Sequence, residues 1–143
     1  MKFDFKTAFK AAKVPALAMI ALSVIVAILA FLGLNIGIIS IPAQFAILAY
    51  AGYNGVKAFK LDIANGALAG AVASFLSMVF TLAMANAQYF LDNGYQKALA
   101  AQNGMAGETV TFYMFVGFLV MLIFSPVIGA IFGAIGAYFA KKK

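Results

Sequence analysis

Side chains able to do acid–base or ligand chemistry are few in this chain and far apart. Its 143 residues include no His, Cys or Trp, and the charged set is ten lysines with Asp4, Asp62, Asp92 and Glu108, without any arginine. Losing His and Cys removes the commonest transition-metal ligands and the commonest general base near neutral pH, and it forbids disulfides and thiolate sites. A catalytic site would need Lys with Asp, or Ser with Lys, and no such pair is clustered inside an apolar stretch. The chain is therefore expected not to be an enzyme and to hold no metal or cofactor; its seven methionines are too scattered to suggest copper.

What remains inside the apolar stretches is an uncharged polar set: Asn35, Gln44, Asn54, Asn65, Ser74, Ser77, Thr81, Asn86, Gln88 and Ser125. Of these, Asn65, Ser74, Asn86 and Ser125 could line a narrow solute path. Amides and hydroxyls equally serve as caps and as hydrogen bonds between helices, which is the preferred assignment. A coupled transporter normally keeps an ionisable side chain within hydrocarbon, whereas all four carboxylates here fall at the ends of apolar stretches. Phe112, Tyr113, Phe115, Phe118 and Phe124 read as a lipid-facing or packing surface before an aromatic cage.

The elements that must position these groups follow from composition. Two-thirds of the chain (66%) is hydrophobic and 10% is charged, with a mean hydropathy of +1.04. Such a chain cannot hide its apolar surface in water, but a helix bundle in lipid can expose it while each helix satisfies its own backbone. A span needs about 20 residues. The fold class expected is all-α, an integral membrane four-helix bundle in one domain covering residues 1–143, with an N-terminal amphipathic surface helix.

Residues 2–13 carry Lys2, Lys6, Lys10 and Lys13 at helical spacing beside Phe5, Phe9 and Ala12, so they are read either as an in-plane helix on anionic headgroups or as a basic tail that only sets topology. Pro15 disfavours helix at Val14 and predicts a break there. The basic start resembles a signal peptide, but the apolar run is too long and lacks a cleavage site, so it is read as retained. Spans are expected at about 15–32, 38–53, 63–90 and 109–140. Residues 33–37 make a short turn, Tyr50 and Tyr53 fall at an interface, Asn54-Gly55 breaks the second apolar run, and Asp62 or Asn65 caps the third helix. A polar outer loop covers residues 92–108. The last apolar run is long enough to require tilt, a bend at Ser125-Pro126, or protrusion.

Small residues repeat at spacings of four and three. Gly66, Gly70 and Ser74 mark one face of the third span and Ala69, Ala73 and Ser77 the next, while Gly129, Gly133 and Gly136 mark the fourth; such ladders let helix backbones approach closely. The lysines set the orientation. With four spans, Lys2, Lys6, Lys10, Lys13, Lys57, Lys60, Lys141, Lys142 and Lys143 lie on one side and Lys97 alone on the other, a positive-inside distribution that puts both termini in the cytoplasm of a multi-pass cell-membrane protein. In this setting the basic balance points to anionic lipid headgroups and not to nucleic acid.

The order of short turn, Gly/Ala-rich hairpin and basic end resembles small uncharacterised archaeal four-span membrane proteins. It is carried by Tyr50-Ala51-Gly52-Tyr53, a basic turn, and Gly66-Ala67-Leu68-Ala69-Gly70-Ala71, about a third of the chain. The resemblance implies the fold and brings no activity. Small multidrug transporters share the length but depend on a glutamate within the first span, and residues 15–32 contain none. Function is therefore expected to be non-enzymatic: a structural or accessory subunit, or a homo-oligomer, held to itself or to other membrane chains by the small-residue faces. The alternative is a small channel or transporter.

Overall fold

A computed structural model describes residues 3–34, 36–91, 96–97, 100–101, 104 and 107–142. The long helices are α1 (Phe5–Phe31), α2 (Gly37–Phe59), α3 (Ile63–Leu91) and α4 (Gly107–Lys142). Three of them contain stretches long and apolar enough to cross a membrane: Phe5–Ala30, Ile63–Ala87 and Thr109–Lys142. In α2, Pro42, Gln44, Tyr50, Tyr53 and Asn54 dilute the apolar content, and it is not among them. Most of the expected outer loop, together with Lys2, Asn35 and Lys143, lies outside the described residues.

The break expected at Pro15 does not occur. Helix α1 runs straight through it, and the proline ring is fully buried. The reason is packing: Ala8, Ala11, Ala12, Ala16 and Met19 form a buried stripe along α1. Ala8 and Ala11 pack with Ala69, while Ala12, Ala16 and Met19 pack with Leu48, Ala51 and Ala73. A proline costs a helix one backbone bond and a local clash, and membrane helices tolerate it where neighbours surround it. The basic segment is thus the first turns of α1 rather than a separate surface helix. Asp4 caps it by accepting from the Thr7 N–H at 3.0 Å.

A second correction concerns Asn54-Gly55. The α2 helix continues through both residues to Phe59, and the turn to α3 shrinks to Lys60, Leu61 and Asp62. Gly55 is a packing residue: a Cβ there would lie 3.2 Å from Leu61 Cδ1 and 3.8 Å from the Ala11 methyl. The helix ends instead at Lys60, whose φ of 58° is left-handed, and both the Lys60 and Leu61 N–H groups are donated to the Gly55 carbonyl. The α1–α2 turn is as expected. Gly33 takes φ +80°, the Leu34 N–H bonds Leu29 O at 2.8 Å and the Gly33 N–H bonds Ala30 O at 3.0 Å, which is a Schellman termination.

Successive helices run antiparallel. Helix α1 packs on α2 and α3, helix α2 also on α3 and α4, and α3–α4 is the most extensive contact; among the described residues α1 and α4 do not meet. Lys6, Lys10, Lys13, Lys57, Lys60, Lys141 and Lys142 are all exposed at one end of the bundle. The core sits in that lysine half, built from alanine and glycine. In the opposite half the side chains are mostly exposed, with Ser40 and Val110 the buried exceptions among the described residues.

Candidate functional site

The two small-residue ladders of α3 serve different neighbours. Ala69 and Ala73 face α1 and α2, whereas Gly66, Gly70 and Ser74 face α4. At Gly70 an added Cβ would strike the Gly129 carbonyl and would sit 2.7 Å from Gly133 Cα; at Gly66 it would sit 2.6 Å from the Ala137 methyl. Gly133 is closed in by Gly66 O and Gly70 Cα, each 2.9 Å from where its Cβ would be, and Gly136 lies against the backbone of Ala49. These backbones touch because nothing larger than hydrogen stands between them. The packing residues named from sequence are therefore spent within the chain, except Ser77, which lines the cavity beyond them.

One turn further from the lysine end, Ser74 and Ser125 meet. Both are about 5% exposed. Their hydroxyls are 2.6 Å apart, Ser74 Oγ lies 2.8 Å from Ser125 O, and Ser125 Oγ lies 3.1 Å from Ser74 O. Two protons can fill two of these three contacts; the shortest set has Ser125 donating to Ser74 Oγ and Ser74 donating to Ser125 O. This cross-link is the floor of a crevice.

Beyond the floor, toward the end away from the lysines, a cavity of about 200 Å³ lies among all four helices, lined by Ser23, Gln44, Ser74, Ser77, Thr81 and Ser125 along with Met19, Phe45, Leu48, Met78, Met121 and Ile128. Ser23 and Thr81 also line a second, larger space of about 510 Å³ between α1 and α3, so the two adjoin at these side chains. Ser23 donates to Met19 O and Thr81 to Ser77 O, each at 3.0 Å within its own helix. Among the described residues, no ionisable side chain lines either space.

Of the four residues that sequence placed on a path, the structure brings together Ser74 and Ser125 only. Asn65 lies at the lysine end, where its Oδ1 accepts the Asp4 N–H at 2.8 Å and its own N–H and amide are donated to Asp62 Oδ1 at 2.8 and 2.9 Å. Asp62 is thus the cap of α3, and Asn65 fastens that cap to the start of α1. Asn86 turns back on its own helix, with Nδ2 donating to Leu82 O at 2.7 Å.

Ser23 escaped the sequence reading altogether, and Gln44, Ser77 and Thr81 were not assigned to the path. A signal existed for the first pair. Counted outward from the Gly33 turn, Ser23 and Gln44 fall at the same depth on antiparallel helices. Among the described residues no cluster of carboxylates could hold a metal ion. No protein-family model, curated protein or solved structure matches this chain.

Proposed function

We propose that this chain is a four-span membrane protein that takes up a small uncharged ligand in the crevice among its helices and works as a small transporter or channel. The carrying observation is the crevice itself. Six hydrogen-bonding side chains, none ionisable, come from four helices to one hollow: Ser23, Gln44, Ser74, Ser77, Thr81 and Ser125. A bundle built only to stand in lipid gains nothing from a polar hollow, since unfilled space forfeits packing.

Support for the fourth span is geometric. Helix α2 has 23 residues, about 35 Å at the usual rise, packs against the other three helices, and is joined to two of them by tight turns. The lysine end is the cytoplasmic one, because short basic segments are retained on that side. The exposed lysines there then meet anionic headgroups, and the crevice faces the outer side. On the cytoplasmic side it is shut by the Ser74–Ser125 cross-link and the glycine contacts beneath, so passage requires α3 and α4 to part there.

An assembly role keeps one supporting observation. With the ladders occupied inside the chain, a partner chain or second copy would meet the outer half of α4, which exposes Phe112, Tyr113, Phe115, Leu119, Val120 and Ile123.

Because the chain has no native thiol, the crevice can be tested with single cysteines and methyl methanethiosulfonate, a small neutral reagent that the thiolate attacks, forming a mixed disulfide and releasing methanesulfinate, and that so reports where water can ionise the thiol. The Ser77→Cys and Thr81→Cys chains should react far faster than Ala73→Cys, whose site is fully buried in the core. Equal, slow reaction at all three positions would mean that no open crevice exists.

A further inference from the structure

We infer that the ligand is a neutral amphipath, a single hydrocarbon chain bearing an uncharged hydroxyl or amide head, which enters from the lipid between α1 and α3. This rests on the proposed role of the crevice as a binding site and adds the class of molecule bound.

The two parts of the crevice differ in chemistry. The outer part, about 510 Å³, is bounded by α1 and α3 alone, and apart from Ser23 and Thr81 at its inner end its walls are apolar, among them Val24, Phe80, Met84 and Leu91. It is of the size that small-molecule sites have, about 300–1,000 Å³. The inner part, about 200 Å³, has a mixed wall, in which the hydroxyls of Ser23, Ser74, Ser77, Thr81 and Ser125 and the Gln44 amide are set among Met, Leu, Ile and Phe side chains. An almost wholly apolar slot beside a chamber that gathers hydroxyl and amide groups fits a molecule with the same division.

Two inner side chains specify the head. Ser77 is only 5% exposed, yet its hydroxyl makes no hydrogen bond with described residues, and its exposed sliver faces the chamber it lines. The Gln44 carboxamide lines the same chamber without a described partner. Together they offer donors and acceptors to an uncharged group. Ser23 and Thr81 have already donated their protons within their own helices, which leaves them acceptor capacity only. A carboxylate, phosphate or ammonium head would enter with no countercharge, and burying it would be costly. An ordinary bilayer lipid keeps its head at the interface, so only its hydrocarbon reaches this depth and Gln44 and Ser77 would stay unpaired. An alcohol or amide head loses little on desolvation and satisfies both.

The test uses the whole chain in phosphatidylcholine nanodiscs and a long-chain alcohol carrying a diazirine in its hydrocarbon part, with the sulfate ester of the same alcohol as the charged comparison. On illumination the alcohol should mark α1 and α3 around Val24 and Met84 in preference to the exposed outer half of α4, and the sulfate ester should show no such preference. Ser77→Ala should lower the crevice labelling about fivefold, the effect of one hydrogen bond. Ala27→Trp, at a lipid-exposed position on the outer slot, should block it without touching the polar chamber or the core. Labelling that is equal on α4 and in the crevice, and indifferent to both substitutions, would mean ordinary lipid filling and overturn the inference. Reaction of Ser77→Cys with the thiol reagent, measured with and without the alcohol, separates the two levels. A cysteine that reacts but is not protected leaves the crevice standing and removes the ligand class; one that never reacts removes both.

Discussion

At Gly70 the separation of α3 and α4 is set by a missing methyl group. The space a Cβ would need is occupied by the Gly129 carbonyl and Gly133 Cα, and backbone, unlike the end of a flexible side chain, has nowhere to go. Gly70→Ala should therefore destabilise by about 1–3 kcal/mol or more, as overpacking does. Ser74→Ala, one turn away, removes a hydroxyl without adding volume and should cost only ~0.6 kcal/mol, the average worth of a hydrogen bond between membrane helices. Reversible unfolding in mixed micelles would compare the two. If the glycine variant proved as mild as the serine one, the helices are free to slide apart and the contact is not close-packed.

Among the elements, α1 owes its position to two devices. Along its length the alanine stripe lets it lie close to α2 and α3, and at its start the Asn65 side chain receives the Asp4 N–H while the Asp62 carboxylate holds Asn65 itself. Replacing Asn65 by Leu removes the fastening but leaves the Asp62 carboxylate able to cap α3 through the backbone. Since Asp4 is exposed, water can replace the lost partner, and the global cost should be modest, about 0.5–1.5 kcal/mol. The sharper effect is local: trypsin should cleave after Lys6 and Lys10 faster than in the parent chain. Unchanged cleavage would mean that the alanine stripe alone holds the segment.

For the whole molecule, the decisive asymmetry is that the dense alanine–glycine core and the exposed lysines share one end, while the crevice lies beyond that core, toward the other. If the lysine end is cytoplasmic, Ala58→Cys, on an exposed position before the α2–α3 turn, should react with an impermeant maleimide only after cells are permeabilised. Lys97→Cys, also exposed and in the connection at the opposite end, should react in intact cells. Labelling of the Ala58 position from outside would reverse the orientation and turn the crevice toward the cytoplasm.

Hydropathy alone determined that the chain is helical, because in lipid a backbone must satisfy itself and an apolar run has one economical way to do so; it placed α3 and α4 closely, but α1 begins at Phe5 and α2 runs on to Phe59, both beyond the apolar runs read as spans. Turn chemistry was legible at Gly33, whose positive φ closes a local motif. It misled at Asn54-Gly55 and Pro15 because the same residue types that break helices also permit close or tolerated packing, and which use applies depends on a neighbour far away in sequence. Ala11 and Ala69 are what keep α1 in the bundle past its proline. The site followed the same division. Ser74, Ser77, Thr81, Ser125 and Gln44 were visible as uncharged polar groups in apolar runs. Only the tertiary structure decided that Ser74 bonds Ser125, that Asn65 and Asn86 turn elsewhere, and that Ser23 joins the chamber. Registering two helices across an interval of 51 residues depends on glycine-to-glycine contact between them, which helical periodicity within either helix does not encode.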